Sequence, residues 1–270
     1  MASFEIAFAK INLALHVRRR RPDGHHDIET IFAFAEDGDR LERGHGEAGL
    51  TIEGPFARGL AADRDNLVLR AAAAIGVTDA ALRLEKRLPI AAGIGGGSAD
   101  AAAALRLLRP AGLDDTALEN IAATLGADVP ACLLSATARA EGLGHPVSPI
   151  AATGLTGMPL LLVNPRVPCP TGPVFRGWDG VDRGPLGQGD PLAAALAGRN
   201  DLEPPARAAI PVIDGVLARL RDQRGIVLAR MSGSGATCFA LFDTIADRDA
   251  AGNAIAAAQP GWWCLVTALR

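Results

Sequence analysis

The spacing of apolar and polar residues predicts extended structure in the first part of the chain. Residues 4–17 (FEIAFAKINLALHV) mix β-branched and aromatic residues with a period near two, which predicts one long strand or a strand pair. The run Arg18–Arg21, followed by Pro22-Asp23-Gly24, predicts that this strand ends in a turn. Residues 26–42 (HDIETIFAFAEDGDRLE) predict a second strand that enters a turn.

Helical spacing dominates several later segments. Residues 65–77 and Ser98–Leu108 are rich in Ala and Leu, and residues 113–126 begin with aspartates and end in glycine, as capped helices do. Residues 201–223 resume a helical pattern. Residues 225–244 instead predict an apolar strand, a Gly/Ser turn and a second apolar strand.

The segment Asn164–Pro191 is dense in Pro and Gly and predicts a long loop or lid. Strands and helices alternate elsewhere without regular βαβ spacing, which favours an α+β fold over a doubly wound sheet. The chain length and the two sets of apolar strands predict two domains, residues 1–152 and residues 153–270, the second carrying the lid.

Composition narrows the class of protein. The 270 residues carry 27 basic and 30 acidic side chains, a formal net charge of −3, which argues against a nucleic-acid or membrane-surface binder. The four cysteines form no CxxC pair and predict buried thiols in a reducing compartment. No apolar run of transmembrane length and no signal-peptide pattern is present, so we expect a soluble cytoplasmic protein.

The strongest chemical signal is a glycine-rich loop within residues 87–108. Gly93, Gly95, Gly96 and Gly97 precede Ser98 and an Ala/Leu helix. Glycines let the backbone approach an anion closely, and a helix start directs unpaired N–H groups toward the loop. This context predicts a phosphate cradle, with the serine hydroxyl offered to phosphate or Mg²⁺, although such glycines also form flexible turns.

Two familiar phosphate loops fit poorly. A Walker loop requires Lys directly after its last glycine, and none follows here. A dinucleotide-binding loop requires a third glycine at the position of Ser98. It also requires an acid about 20 residues further on, whereas the acid in this segment, Asp100, follows Ser98 by only two residues. The arginines Arg18–Arg21 fit a solvated edge or, less often, a phosphate contact.

Two charged residues stand in apolar surroundings. Lys10 and Lys86 are the two lysines of the sequence. Lys10 lies on an apolar strand, so it either reaches water at a strand end or pairs with an acid or anionic ligand. Asp128 fits a cap or turn residue, or a catalytic carboxylate near a cation. Gly233 and Gly235 fit either a hairpin turn or a second ligand-facing loop.

These elements resemble, in this order, the GHMP kinase superfamily, which phosphorylates small-molecule alcohols with ATP. Within it, the chain is similar to the family of 4-diphosphocytidyl-2-C-methyl-D-erythritol kinases, over most of the chain from Phe8 to Asp243. The segments that carry the resemblance are AKINLALHVRRRRPDGHHDIETIF, DNLVLRAA, EKRLPIAAGIGGGSADAAAAL, LGADVPACL, ARAEGLG, NDLEPPARAAIP and MSGSGATCFALFD.

The resemblance implies a fold, a reaction and a catalytic pair. The fold is an α+β two-domain GHMP-kinase fold with the active site in the cleft between the halves. The reaction is ATP-dependent phosphorylation of the 2-hydroxyl of 4-diphosphocytidyl-2-C-methyl-D-erythritol, a step of non-mevalonate isoprenoid precursor biosynthesis. Asp128 would accept the proton of that hydroxyl, and Lys10 would hold the carboxylate ionised and stabilise charge on the attacking oxygen.

The resemblance also implies the binding residues. Asn66 and Lys86 would lie near the adenine, Asn12 and His26 would contact the cytidine, and Ser98 would face Mg²⁺. The ATP phosphates would be wrapped by a loop made of Pro89, Ile90, Ala91, Ala92, Gly93, Ile94, Gly95, Gly96, Gly97, Ser98 and Ala99. The partners are therefore ATP with Mg²⁺ and the cytidine-linked methylerythritol, with no nucleic acid or membrane, in a monomer or weak homodimer.

The sequence departs from the family at one position. The family commonly has Tyr before the cytidine-binding His, whereas this chain has His25 before His26. The resemblance then implies that cytosine stacks between His25 and Phe175 of the lid. This pair of histidines also fits a polar turn. Two other functions stay open: a GHMP-type kinase of another alcohol (mevalonate-, homoserine- or sugar-like), and a non-catalytic ATP-sensing module.

Overall fold

The computed structural model describes residues 3–270, which form two compact units built from interleaved segments. Unit 1 comprises the chain up to Lys10, Asp37–Ile90 and Gly95–Ser135, and unit 2 comprises Ile11–Glu36, Ala91–Ile94 and Ala136–Arg270. Because the segments interleave, no single cut separates them, and the boundary at 152/153 stays a prediction. Helices and sheets occur in both units, so the expected α+β class is confirmed.

Two long strands contribute residues to both units. Strand β1 (Phe4–Arg20) confirms the expected long strand, and it pairs with β2 (His26–Arg43). The turn expected near the end of β2 was wrong, because the strand continues through Gly38. A side chain at that position would clash with the carbonyl oxygen of Ala7, so this glycine serves a close approach of two backbones instead of a turn.

Unit 1 combines short strands with Ala-rich helices. Strands β3 (Gly49–Glu53) and β4 (Ala81–Glu85) pair in parallel, and β4 pairs antiparallel with the end of β2. The helices are α1 (Leu67–Ala74), α2 (Gly96–Leu108), α3 (Asp115–Leu125) and α4 (Val129–Leu134). A run of buried alanines on α2 lets it pack closely on α1 and α4.

Unit 2 contains an antiparallel four-stranded sheet and the remaining helices. Strands β5 (Ala138–Gly142) and β6 (Val147–Pro149) pair beside β2, and the four-stranded sheet has the order β10-β7-β9-β8. Its strands are β7 (Pro159–Asn164), β8 (Ile226–Met231), β9 (Cys238–Phe242) and β10 (Trp263–Ala268). The helices are α5 (Thr171–Arg176), α6 (Pro191–Ala197), α7 (Glu203–Ala209), α8 (Val212–Arg221) and α9 (Ile245–Ala258).

The Pro/Gly-rich segment is irregular, as expected, apart from the single short helix α5. It is nevertheless well packed, because Cys169, Val174, Trp178 and Leu186 are all buried. Such anchors hold a long irregular segment in place against its conformational entropy. Within residues 3–270, every helix is too short or too polar to cross a lipid bilayer.

Candidate active site

A buried lysine and an accessible aspartate meet in unit 1. Lys10, on β1, has a side chain that is only 4% exposed, whereas that of Asp128 is 41% exposed. The Lys10 Nζ lies 3.4 Å from Oδ2 of Asp128. Of the alternatives left open by the sequence, the structure therefore supports a lysine paired with an acid.

The local backbone explains why Asp128 stays accessible. Helix α3 ends at Leu125, and the Val129 N–H donates to the Gly126 carbonyl at 3.1 Å, which closes a tight turn. Asp128 follows in this turn, and its own carbonyl accepts the Cys132 N–H at 3.0 Å as α4 begins. Within the described chain its carboxylate forms no capping bond to α4, so it faces Lys10 and solvent.

The glycine loop leads into α2 as the sequence predicts. Gly95 adopts a left-handed conformation (φ 66°) just before the helix, and its carbonyl accepts the Ala99 N–H at 2.8 Å. The N–H groups of the first helical turn, which includes Gly96 and Ser98, lack intrahelical partners by geometry. They also lie at the positive end of the helix dipole, where an anion is stabilised.

The start of α2 lies against the charged pair. A Cβ atom built on Gly95 would lie 3.1 Å from Lys10 Cε and 3.6 Å from Cys132 Sγ. A side chain at this left-handed position would crowd the Lys10 stem, so glycine suits the close approach of the loop to Lys10. Unit 1 therefore brings together the lysine, the aspartate and the exit of the glycine loop, three features that are far apart in the sequence.

The earlier part of the loop is supported by the β8–β9 turn of unit 2. The Ser232 hydroxyl donates to the Gly93 carbonyl at 2.9 Å, and the Thr237 N–H donates to the Ala92 carbonyl at 3.1 Å. A Cβ atom on Gly93 would lie 2.6 Å from the Ser232 carbonyl oxygen and 2.7 Å from that of Gly235. The MSGSG segment is thus a hairpin turn whose backbone and hydroxyl hold the glycine loop.

Lys86 is the centre of a buried triad that the sequence did not predict. Its ammonium pairs with Asp39 and, at 2.7 Å, with Oδ2 of Asp100 on the first turns of α2. Asp39 Oδ1 also accepts the N–H groups of Arg87 (2.6 Å) and Leu88 (2.8 Å). Asp100, an acid within the alanine-rich helix α2, was the one sequence signal for a buried ion pair. Asp39 lies in a short acidic stretch, and nothing in the sequence singles it out.

Charge and burial shift the titration of this triad. Burial raises the pKa of Asp100 to about 7, against the opposing attraction of the Lys86 ammonium. Burial lowers the pKa of Lys86, but the two carboxylates outweigh it and raise that pKa overall. Asp100 Oδ1 is buried without a hydrogen-bond partner in the described chain, which fits a carboxyl that binds a proton easily.

Lys86 and Asn66, the two residues expected near adenine, both form contacts within the protein. A Cβ atom on Gly96 would lie 3.5 Å from Lys86 Nζ, so the ammonium lies under the start of α2. Asn66 caps α1, where its Oδ1 accepts the Val68 N–H at 3.0 Å and its Nδ2 donates to the Ala61 carbonyl at 2.8 Å. Their contact with a nucleotide stays a prediction.

In unit 2, two of the residues expected to bind cytidine, His26 and Phe175, are in contact. The His26 side chain is buried, and its ring centroid lies 5.2 Å from that of Phe175 and 5.8 Å from that of Trp178. Burial lowers the pKa of His26, and the charges of Arg20 and His25 lower it further. Trp178 was not among the residues that the sequence predicted for this site. The available signal was that Trp178, like Phe175, is an aromatic residue in a segment dominated by Pro and Gly.

The remaining residues expected to bind cytidine differ in their surroundings. His25 is exposed, and its Nδ1 lies 3.4 Å from Oδ1 of Asp23, so its stacking against Phe175 stays a prediction. Asn12 is buried; its Nδ2 donates to Thr30 Oγ1 at 2.8 Å, and its backbone N–H donates to Ser232 Oγ at 3.2 Å. The bond to Thr30 orients the side-chain amide of Asn12.

Three of the four arginines in the run Arg18–Arg21 pair with neighbouring acids. Arg18 pairs with Glu29 and Asp182, Arg19 pairs with Asp27, and Arg21 pairs with Asp23 and Asp27. This arrangement supports the solvated edge, here with surface ion pairs, over the phosphate contact.

The residues available for a divalent cation are few. Among residues 3–270, no group of three or more His, Cys, Asp or Glu side chains is placed to hold a metal ion. Ser98 is half-buried in the first turn of α2 and offers one hydroxyl. This set fits a Mg²⁺ that takes most of its ligands from nucleotide phosphates and water, which is how Mg²⁺ is commonly bound.

Comparison with known proteins places the chain in a family. The model of the GHMP kinases N terminal domain matches residues 66–136, and that of the GHMP kinases C terminal domain matches residues 183–261. The chain is 63% identical to 4-diphosphocytidyl-2-C-methyl-D-erythritol kinase of Rhizorhabdus wittichii, over 98% of this chain and 94% of that protein. It is 54% identical to the enzyme of the same name from Sphingopyxis alaskensis, over 98% of each chain.

Solved structures agree with this assignment. A crystal structure of 4-(cytidine 5'-diphospho)-2C-methyl-D-erythritol kinase superimposes with a TM-score of 0.78 at 36% identity, covering 99% of both chains. A homoserine kinase from Cytophaga hutchinsonii, with a TM-score of 0.65 at 16% identity over 97% of this chain and 95% of that one, shares the fold. Identity above one half over nearly the whole length is decisive: the chain belongs to the 4-diphosphocytidyl-2-C-methyl-D-erythritol kinase family of GHMP kinases.

Proposed function

We propose that this protein transfers the γ-phosphoryl group of ATP to the 2-hydroxyl of 4-diphosphocytidyl-2-C-methyl-D-erythritol, a step in non-mevalonate isoprenoid precursor biosynthesis. The observation that carries the proposal is the Lys10–Asp128 pair, which lies against Gly95 at the start of α2. A carboxylate beside a cation and a phosphate-binding helix start supplies what phosphoryl transfer to an alcohol requires.

Asp128 acts as the general base. Its carboxylate accepts the proton of the 2-hydroxyl as the hydroxyl oxygen attacks the γ-phosphorus, the bond to the bridging oxygen breaks, and ADP leaves. The exposure of Asp128 leaves an oxygen accessible to a substrate while the other faces Lys10. Lys10, held 3.4 Å away, stabilises the negative charge that grows on the attacking oxygen.

The glycine loop binds the phosphates of ATP. The unpaired N–H groups at the start of α2 donate to phosphate oxygens, and the loop Pro89–Ala99 supplies backbone that can approach them closely. The Ser98 hydroxyl would hold Mg²⁺ together with ATP oxygens, and a bound Mg²⁺ neutralises part of the phosphate charge.

Lys86 and Asn66 support nucleotide binding indirectly, by holding the backbone segments that line the nucleotide site. Asn66 caps α1 and fixes the segment before it, and Lys86 holds the first turns of α2 through Asp100.

The cytidine end of the substrate binds in unit 2. Phe175 and His25 stack on the cytosine ring, while Asn12 and His26 contribute hydrogen bonds. An imidazole offers less stacking area than the tyrosine that the family commonly has in place of His25, so the affinity for the base depends more on the hydrogen-bonding residues.

A coupled assay of ADP release tests this function. The purified protein with Mg²⁺ and ATP should release ADP with the cytidine-linked methylerythritol, and ³¹P NMR should locate the new phosphate on the 2-hydroxyl. Mevalonate, homoserine and galactose, assayed in parallel, represent the other alcohols of the superfamily. Turnover of one of these alone would assign a different substrate, and ATP binding without turnover of any would indicate a sensing module.

A further inference from the structure

Arg20 is the hydrogen-bond partner of the His26 ring. Its Nε lies 3.3 Å from His26 Nε2 with donor geometry. A guanidinium has no acceptor and keeps its protons, so the bond requires Nε2 to be the acceptor. An imidazole that accepts at Nε2 while neutral carries its proton on Nδ1, which is thereby a donor.

The same guanidinium holds the aromatic segment next to the ring. Arg20 Nη2 donates to the carbonyl of Arg176 at 3.2 Å and to that of Trp178 at 3.4 Å. The first carbonyl is that of the residue after Phe175, and the second is that of Trp178 itself, so Arg20 holds both the imidazole and the backbone that carries the two rings packed on it. No sequence motif predicted this role, because the arginine run as a whole fits a solvated edge.

The neutral form of the ring is supported independently. Burial lowers the pKa of His26, and the neighbouring Arg20 and His25 lower it further, so a second proton is disfavoured. Within the described chain, Arg20 is the one side chain bonded to His26, which leaves Nδ1–H without a protein acceptor.

We infer that Arg20 is a positioning residue for the nucleoside: it fixes His26 in the Nδ1–H tautomer and so makes the ring a hydrogen-bond donor toward the acceptor edge of cytosine. The inference rests on the proposed function for the identity of the ligand. Cytosine offers acceptors at N3 and O2, whereas uracil carries a proton on N3. A fixed donor therefore favours cytidine over uridine, because an N3–H facing Nδ1–H would leave two donors opposed.

Histidine NMR on the free protein tests the tautomer directly. With ¹⁵N-histidine labelling at about pH 8, two-bond ¹H–¹⁵N correlations should show His26 with Nδ1 protonated, the signals being assigned by their loss in His26→Gln. In Arg20→Gln the ring should redistribute toward the Nε2–H tautomer. In Arg20→Lys, which retains a charged donor, most of the Nδ1–H form should remain. The control Arg19→Gln removes a neighbouring exposed arginine that is bonded to Asp27 and should change nothing.

Kinetics test the consequence for specificity. Arg20→Gln should raise KM for the cytidine-linked methylerythritol about tenfold, the scale of one lost hydrogen bond, and shrink its preference over the uridine-linked analogue. KM for ATP should stay unchanged, which separates this role from general destabilisation.

The outcomes are distinguishable. An unchanged His26 tautomer in Arg20→Gln overturns the inference, as does a changed tautomer with an unaltered cytidine preference. Absence of turnover of either substrate by the wild-type protein would overturn the proposed function, while the NMR result would still decide the tautomer.

Discussion

The ammonium of Lys10 lies 3.4 Å from the carboxylate of Asp128, with the lysine buried and the aspartate open to solvent. This difference in exposure suits the two charged groups to different roles. The buried cation is fixed by packing, whereas the accessible carboxylate can receive a substrate. A buried ammonium is costly without a partner, so the pairing also explains why a lysine is tolerated on an apolar strand.

Asp128→Asn should remove the general base. We expect kcat to fall between about 100- and 10,000-fold, because the amide cannot accept the hydroxyl proton. The affinity for ATP should stay within about threefold, since the isosteric amide leaves the helix start intact. ADP release and equilibrium ATP binding measure the two effects. Asp115→Asn, a matched change at an exposed acid paired with Arg109, should behave as wild type. Near-normal turnover of Asp128→Asn would remove it from this role.

Lys10→Arg should be poorly tolerated despite keeping the charge. Lys10 is buried between Asp128 and the start of α2, and a guanidinium is longer and wider than the ammonium, so it cannot take the same position beside the carboxylate. We expect kcat to fall at least about tenfold, with the loss appearing in a single-turnover experiment as slower chemistry. Arg83→Lys, at an exposed arginine paired with Glu42 and Glu53, is the control for a basic exchange. Activity close to wild type in Lys10→Arg would contradict the crowding argument.

Gly95→Ala should impair nucleotide binding. The new methyl group would crowd Lys10, and alanine in the left-handed conformation costs about 1–2 kcal/mol. We expect KM for ATP to rise about tenfold or more and thermal stability to fall modestly. Gly112→Ala, where a methyl group would meet open space, should leave both quantities unchanged. An unaltered KM for ATP in Gly95→Ala would show that the loop geometry is not needed for binding.

Asp100→Asn should reveal the titration of the buried triad. The pKa of Asp100 is about 7 in the folded state against 3.8 ordinarily, so the folded protein binds the proton more tightly. Its stabilising contribution is complete below about pH 4 and is lost as the pH rises through about 7. The stability difference between wild type and Asp100→Asn should therefore decrease with pH, with a slope of at most about 1.4 kcal/mol per unit.

Urea unfolding of both proteins between about pH 5 and pH 8 measures this difference. Subtracting the two series cancels the titration of groups that both proteins share. A difference that stays constant across the range would show that Asp100 keeps the same protonation state throughout.

His25→Tyr should strengthen binding of the cytidine-linked substrate. The phenol ring adds stacking area at the position that the family commonly fills with tyrosine, and an aromatic pair contributes about 0.5–1.5 kcal/mol. We expect KM for that substrate to fall roughly two- to tenfold, with KM for ATP unchanged. His45→Tyr, at another exposed histidine, is the control. An unchanged KM in His25→Tyr would remove this residue from the stacking position.

Local signals explain what could be predicted. The period-two pattern of β1, the caps of α1 and α3 and the glycines before α2 are encoded within short windows, so their structures follow from the sequence. The segments shared with GHMP kinases likewise indicated Lys10 and Asp128 as candidates. The turn predicted within residues 26–42 is absent, because Gly38 serves a close approach of two backbones, and the local sequence does not distinguish such a glycine from one that makes a turn.

By itself, the sequence determined the family, the phosphate-loop candidate and the identity of the charged residues. Only the tertiary structure decided which of them meet: Lys86 with Asp39 and Asp100, and Arg20 with His26. Lys86 and Asp39 are 47 residues apart in the chain, and Arg20 and His26 lie on either side of the turn between β1 and β2. The geometry of both pairings depends on how strands and helices pack rather than on any local period. Burial, which shifts the pKa of Asp100 and His26, is likewise a property of the packed molecule alone.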